Sequence, residues 1–329
     1  MGYPRHLLVD AETPGFYHCV SRCVRRAFLC GDAFDHRRRW IEDRLAELLD
    51  IFALEFAAYA IMANHLHLIL KTDPQRARAW SDLEVARRWV RLYPKALQRA
   101  TQHAATPEEA QRLAREFIAN LAAQKRRIRI WRKRLASISW FNKLLKEPIA
   151  RRANQEDDCT GHFWEGRFKS YRLLDDAAIL ACMVYVDLNP LRAGAAAGLE
   201  DSLFTSILQR MKVLRADRRR RQDGGSAGHA KAGRKRRLRL PLIPIRSLLD
   251  MTTSQYVSLV AHTGGVPIDD KDHAGRLRSL GLDPSRWQEV MTRTARRIGT
   301  AVGSVASRLE EAGRRGATRV LNALDVYAT

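Results

Sequence analysis

The sequence predicts an α+β fold: an antiparallel sheet with helices, a long helical insertion, and a small all-α module at the C-terminal end. Three observations carry this. Strand-like alternation marks Phe16–Val24 and Phe52–Leu70, with one amphipathic helix between them, so the chain opens β-α-β-β. Residues 75–150 are helical in pattern and rich in arginine. Residues 241–329 read as short helices beyond a basic, glycine-containing link.

Taken in order, residues 1–14 are a polar lead-in. In the first strand, alternation places Phe16, His18, Val20 and Arg22 on one face, and Tyr17, Cys19, Ser21 and Cys23 on the other. Asp32 is placed to cap a helix over 33–50, where Trp40, Ile41, Leu45, Leu48 and Leu49 recur at helical spacing. Phe52–Tyr59 and Ile61–Leu70 read as the next strands, with a turn or bend at Met62–Asn64. Within 75–150, Tyr93-Pro94 and Ala105-Thr106-Pro107 punctuate the helices, and Thr106 with Glu109 makes a capping signal. Gly161–Leu173 alternates aromatic with polar or basic residues, as a strand or ribbon does. Asp175 caps a helix from Asp176 to Asn189, which Pro190 disturbs. Asp187 falls among that helix's apolar residues, and the helical wheel does not explain it. Residues 210–240, with Arg218–Arg221, Gly224–Gly228 and Arg234–Arg237, read as a flexible basic linker. The pieces of 298–324 have helix–turn–helix spacing, for which plain helix packing is the simpler account.

The 329 residues carry 58 Lys and Arg against 36 Asp and Glu, a net charge of +22. Such a balance expects a polyanion partner, most simply nucleic acid. The five cysteines are odd in number and lack scaffold spacing, so reduced thiols in a cytosol are expected. Cys19 and Cys23 beside His18 have no second pair to complete a zinc site. No signal peptide is read at the start, and no apolar run reaches the ~20 residues of a membrane helix. A soluble cytoplasmic protein, associated with the nucleoid and not with membrane, is therefore expected.

Chemistry concentrates in three motifs. Met62-Ala63-Asn64-His65-Leu66-His67 places two imidazoles on one strand face, with Leu66 and Leu68 opposite, a ready pair of metal ligands. Phe163-Trp164-Glu165-Gly166-Arg167-Phe168-Lys169-Ser170 interleaves rings with cations. Tyr185-Val186-Asp187-Leu188-Asn189-Pro190 sets Tyr185 and Asn189 one helical turn apart. Small residues Ala178, Ala181 and Cys182 share their face and leave room around the phenol. No glycine-rich ATP loop is present.

In this order the motifs resemble the single-tyrosine HUH transposases, and among these the REP-associated tyrosine transposases. The resemblance covers residues 14–200 and includes Pro14-Gly15-Phe16-Tyr17-His18 as the family's first strand. The helical stretch at 75–150 is longer than in compact members. The resemblance implies a ferredoxin-like antiparallel sheet, the HUH nuclease fold, in a domain spanning 1–209 with its insertion at 75–150. The linker at 210–240 and the module at 241–329 lie beyond it. It implies DNA transposition and recombination by an endonuclease that cuts single-stranded DNA next to a hairpin in repeat elements and rejoins strands. His65, His67 and Asn189 then hold a divalent metal, Mg²⁺ or Mn²⁺. Tyr185 is the nucleophile and forms a 5′-phosphotyrosine link. Asn64 precedes the first histidine and is given no ligand role. Family members assemble their sites within one chain or between two, so monomer and homodimer both stay open.

Expected DNA contacts are Arg22, Arg25 and Arg26 at the exit of the first strand, and Lys125, Arg126 and Arg127 on a helix. The aromatic ribbon adds Trp164, Arg167, Lys169 and Arg172. Two other readings stand beside the transposase. An HUH replication initiator or relaxase often needs a second tyrosine or a third histidine. A domesticated regulator that binds repeat hairpins without cleavage has no need of the phenol.

Overall fold

Alternation in the first 72 residues builds the sheet. The structure, a computed structural model, describes residues 8–222, 240–267, 272–294 and 301–316. Strands β1 (Gly15–Arg22), β2 (Leu54–Ile61), β3 (His65–Thr72), β4 (Lys169–Leu173) and β5 (Ala301–Val302) lie in the order β2-β3-β1-β4-β5. The first four pair antiparallel, and β5 joins β4 in parallel, so the sheet is mixed. Central β1 sets the register: Arg22 faces His65, Val20 faces His67, and His18 faces Tyr171 across β4.

One face of the sheet, with Tyr17, Cys19, Leu66 and Leu68, packs under α1 (His36–Ile51), α6 (Lys125–Leu135) and α7 (Ile138–Glu156). The insertion runs through α2 (Pro74–Ala79), α3 (Asp82–Leu92), α4 (Pro94–Thr101) and α5 (Pro107–Ala122) into α6 and α7. Thr106 caps α5 as its spacing predicts, accepting from the Glu109 amide at 3.1 Å. Asp32 does not cap α1. It lies in a separate 3₁₀ turn, and the helix begins at His36. Fully buried Arg37 anchors that start through Glu156 (2.7 Å) and Asp157 at the end of α7.

The other face packs under α8 (Asp176–Asp187), capped by Asp175, which accepts from the Ala178 amide at 3.0 Å. The helix ends two residues earlier than its sequence suggests, and the short α9 (Asn189–Arg192) follows. Every residue from Ala177 to Asp187 is buried. A helix apolar all round needs cover on both sides. The sheet supplies one side. The other comes from α10 (Ser206–Gln222), α11 (Thr253–Thr263), α12 (His273–Ser279) and α13 (Trp287–Thr294), whose Tyr256, Leu259, Leu277 and Trp287 join the α8 cluster.

Two sequence expectations change here. The described residues after 240 pack into the α8 core, and they add β5 to the sheet, a strand that an all-α module does not contain and that is too short to leave a periodic signal. Residues 210–222, expected as linker, continue helix α10. The rest of the linker, 223–239, lies outside the described residues, as do parts of 298–324; within 301–316 that stretch forms β5 and α14 (Val305–Arg315).

Asp187, unexplained by the helical wheel, ties α8 to its cover. Fully buried, it accepts from the Ser206 hydroxyl, from the Ile207 amide at 2.9 Å at the start of α10, and from the Tyr256 hydroxyl at 2.6 Å. Burial pushes its carboxyl above the ordinary value against these hydrogen bonds. Removing the acceptor strands three buried donors. Asp187→Ala is therefore expected to lower the unfolding free energy by about 3 kcal/mol, read from urea denaturation followed by circular dichroism. A loss under about 1 kcal/mol would show that the three donors find other partners.

Candidate active site

Alternation along β3 brings His65 and His67 to the α8 face of the sheet, with ring centroids 4.8 Å apart. β1 adds a third imidazole. His18 and His67 stack with centroids 5.1 Å apart, and His18 Nε2 meets His67 Nδ1 at 2.8 Å. α8 lowers Tyr185 onto this group, edge-on to His67 at 5.7 Å and to His18 at 6.2 Å. Asn189, one turn on, donates through Nδ2 to the Tyr185 carbonyl at 3.2 Å. Its amide also interacts with the His65 ring and the Tyr185 hydroxyl. One chain thus supplies every member of the set.

A hydrogen-bond relay fixes the His65 tautomer. Asn64 Nδ2 donates to the Arg26 carbonyl at 3.1 Å, so its Oδ1 is the atom that meets His65 Nδ1 at 2.6 Å. An amide oxygen only accepts. His65 Nδ1 therefore carries the proton, and Nε2 keeps its lone pair beside the Asn189 amide. The Arg26 carbonyl is aimed by two consecutive residues in the left-handed region, Arg25 (φ 52°) and Arg26 (φ 57°). Each costs on the order of 1 kcal/mol, strain of a kind found at functional sites. For His67, Nδ1 is engaged by His18, while Nε2 is buried without a partner.

The imidazoles are held neutral. Burial lowers His18 to about 3 and His65 to about 4, and takes His67 well below its usual value, with neighbouring histidines adding to the shift of His18 and His67. The Tyr185 phenol, 8 % exposed, is pushed up by burial. The Asn189 hydrogen bond and the charges of Arg192 and Arg22 pull the other way. The Arg192 guanidinium lies 5.6 Å from the centre of the phenol ring.

These residues suit a divalent cation. His65 Nε2 is available by its tautomer, the orphaned His67 Nε2 needs a partner, and the Asn189 amide stands beside them. Among the described residues no three His, Cys, Asp or Glu side chains form a metal cluster. An ion here takes the rest of its shell from water or substrate oxygen, as Mg²⁺ and Mn²⁺ sites do.

The expected DNA contacts divide. Arg22 stands opposite His65 and lines a 170 Å³ cavity with exposed Arg167 and Lys169. Arg25 and Arg26 are exposed nearby. Lys125, Arg126 and Arg127 are exposed on α6, in the layer on the other face of the sheet, and Lys125 pairs with Asp82 at 2.7 Å. Arg172 is not free for phosphate: it pairs with Glu311 at 3.0 Å and Asp10 at 3.5 Å. Trp164 is buried, and its indole donates to the Lys146 carbonyl at 3.0 Å, so it offers no open stacking face. Residues 163–168 form a loop, with strand only from Lys169. Sequence reasoning left His18, Asn64 and Arg192 without roles. Alternation had already put His18 on the face of Arg22; the β1–β3 register was the missing piece.

The neutral imidazoles set an acid limit on stability. In the unfolded chain histidine titrates near ~6.5. Between that pH and about 3 for His18 the unfolded state binds more protons, so stability is full above ~6.5 and is lost as pH falls. His18 and His67 each contribute a slope of up to roughly 1.4 kcal/mol per pH unit. Urea unfolding in EDTA between pH 7 and 5 should show this decline, and it should flatten in His18→Leu. An unchanged slope in the variant would refute the assignment.

No family model matches the chain, and no curated protein matches it. A solved structure of a REP-associated tyrosine transposase bound to a REP hairpin aligns with 64 % of this chain and 86 % of that one, at 11 % identity and a TM-score of 0.37. At that score and identity the likeness settles neither fold nor activity. Among the described residues, no helix is long and apolar enough to cross a membrane.

Proposed function

We propose that this chain is a metal-dependent single-stranded DNA endonuclease and strand transferase of the single-tyrosine HUH type, built on a ferredoxin-like sheet. Its substrate is a single strand beside a hairpin, as in REP-type repeats. One observation carries the reading: the Tyr185 phenol, the Asn189 amide and the rings of His65 and His67 come together on one sheet face beside Arg22, with His67 Nε2 buried and unpartnered. A structural core has no use for a phenol set against a buried imidazole nitrogen, His67 Nε2, that has no partner.

His65, His67 and Asn189 would hold the divalent ion. When bound, it supplies Lewis-acid polarisation of a non-bridging phosphate oxygen. Arg22 places positive charge on the same side. Tyr185 Oη attacks phosphorus, the bond to the 3′-oxygen breaks, and a 5′-phosphotyrosine forms. The proton leaving the phenol is balanced by the one gained at the departing 3′-oxygen. Asn189, Arg192 and Arg22 favour the phenolate as burial opposes it. Attack by another 3′-hydroxyl reverses the step and joins strands, because the covalent link conserves the phosphodiester energy.

A binding-only regulator is favoured by one feature, the burial of Tyr185. The deciding experiment incubates hairpin oligonucleotides from the gene's own flanks with protein and Mg²⁺ or Mn²⁺. A covalent adduct is expected in wild type and not in Tyr185→Phe. Tight binding without adduct in any divalent ion would establish the regulator instead. Because Asn64 and His18 orient the ligand histidines, Asn64→Ala and His18→Leu should each weaken Mn²⁺ binding about 10–100-fold by calorimetry. Affinities equal to wild type would remove both from that role.

A further inference from the structure

Strand β4 places a second phenol on the sheet face that Tyr185 covers. Tyr171 lies opposite His18 in the β1–β4 register, and its ring centroid is 5.9 Å from that imidazole. Tyr185 meets the same imidazole edge-on at 6.2 Å, so His18 contacts both phenols. Tyr171 is half-buried, and its hydroxyl has no hydrogen-bond partner among the described residues. The buried phenols are engaged: Tyr17 accepts from the Asp10 amide, Tyr59 meets Glu42, Tyr185 bonds Asn189, and Tyr256 donates to Asp187. A tyrosine kept only for packing ordinarily satisfies its hydroxyl in this way.

The surroundings of Tyr171 are cationic. Alternation puts Lys169 on the same face of β4, two residues before it. Lys169 lines the 170 Å³ cavity with Arg22 and Arg167. The phenol therefore adjoins that cavity on its own strand and the His18–Tyr185 contact across it. Burial raises its pKa above the ordinary value, the charge of Arg22 opposes this, and a negative charge on Tyr185 adds to it. Arg22 acts on Tyr185 in the same sense, so one guanidinium is within electrostatic reach of both phenols. A phenol in this setting keeps its proton at neutral pH, yet it is a far stronger acid than a sugar hydroxyl.

We propose that Tyr171 is the general acid of strand cleavage, giving its proton to the 3′-oxygen as that atom leaves phosphorus. The inference rests on the reading of Tyr185 as nucleophile and adds a second residue to that chemistry. In cleavage, Tyr185 Oη forms the bond to phosphorus and releases its proton to water. The bond between phosphorus and the 3′-oxygen breaks, and that oxygen keeps the electron pair and takes the Tyr171 proton. The charge of Arg22 offsets the phenolate left on Tyr171. Joining returns both protons: the Tyr171 phenolate takes one from the attacking 3′-hydroxyl, and the departing Tyr185 takes one from water. An in-line displacement sets nucleophile and leaving oxygen on opposite sides of the phosphate. Two phenols carried by different elements, α8 and β4, suit that division.

The test uses Tyr171→Phe, which removes the hydroxyl alone and keeps the ring against His18. Adduct formation is timed in Mn²⁺ on two hairpin oligonucleotides. One is natural, and the other carries sulfur in place of the 3′-bridging oxygen at the position that wild type cuts. A thiol ionises near ~8.5, so the sulfur strand leaves as a thiolate and needs no acid. On the natural strand Tyr171→Phe should slow adduct formation about 100-fold, with DNA affinity unchanged by fluorescence anisotropy. On the sulfur strand it should match wild type. Equal slowing on both strands would make the hydroxyl a positioning group, and a wild-type rate on the natural strand would give it no part; either result overturns the proposal. So would an adduct that persists in Tyr185→Phe and maps to Tyr171 by mass spectrometry. No adduct in wild type on either strand would remove the cleavage reading itself, and the acid with it.

Discussion

Everything around the candidate site follows from burying neutral imidazoles between a sheet and a helix. His18 is wholly inaccessible and His67 is 4 % exposed. Polar rings so placed are costly unless they bond to one another. The 2.8 Å contact between them meets that need at one nitrogen of each and leaves His18 Nδ1 and His67 Nε2 unsatisfied. The contact exists because β1 is central. A strand at the sheet edge would not hold His18 between His67 on one neighbour and Tyr171 on the other. A one-residue slip of β1 would send His18 to the opposite face, away from both rings.

The helix that carries Tyr185 depends on the same economy of cover. Its apolar surface is continuous, so it lies between the sheet and the helices after residue 205. Asp187 joins those two layers, two residues from the phenol. The helix that carries Tyr185 is thereby held from both sides, with β1 and β3 beneath the phenol and α10 and α11 bonded to Asp187 two residues on. The described residues after 240 are part of what holds the Tyr185 helix in place.

Much of this was legible in the sequence. Alternation in β1 and β3 placed the histidines on one face and the leucines on the other. The four-residue spacing put Tyr185 and Asn189 together, and Thr106 and Asp175 announced their helices. What was hidden was non-local. The register that brings His18 to His67 depends on strand order, which periodicity does not encode. Asn64 fixes a tautomer through the Arg26 carbonyl, a backbone atom placed by two left-handed residues. Arg172 and Trp164 look like nucleic-acid contacts by type, yet an ion pair with Glu311 and an indole hydrogen bond claim them. Glu311 is 139 residues from Arg172, and no local pattern links them.

The central claim of the proposed function is that the Nε2 atoms of His65 and His67 share one metal ion beside Tyr185. Crystals grown with Mn²⁺ and measured near the manganese edge test it most directly. The account predicts one anomalous peak within coordination distance of both Nε2 atoms and of Asn189. No peak there, or a peak bound through other nitrogens, would contradict it.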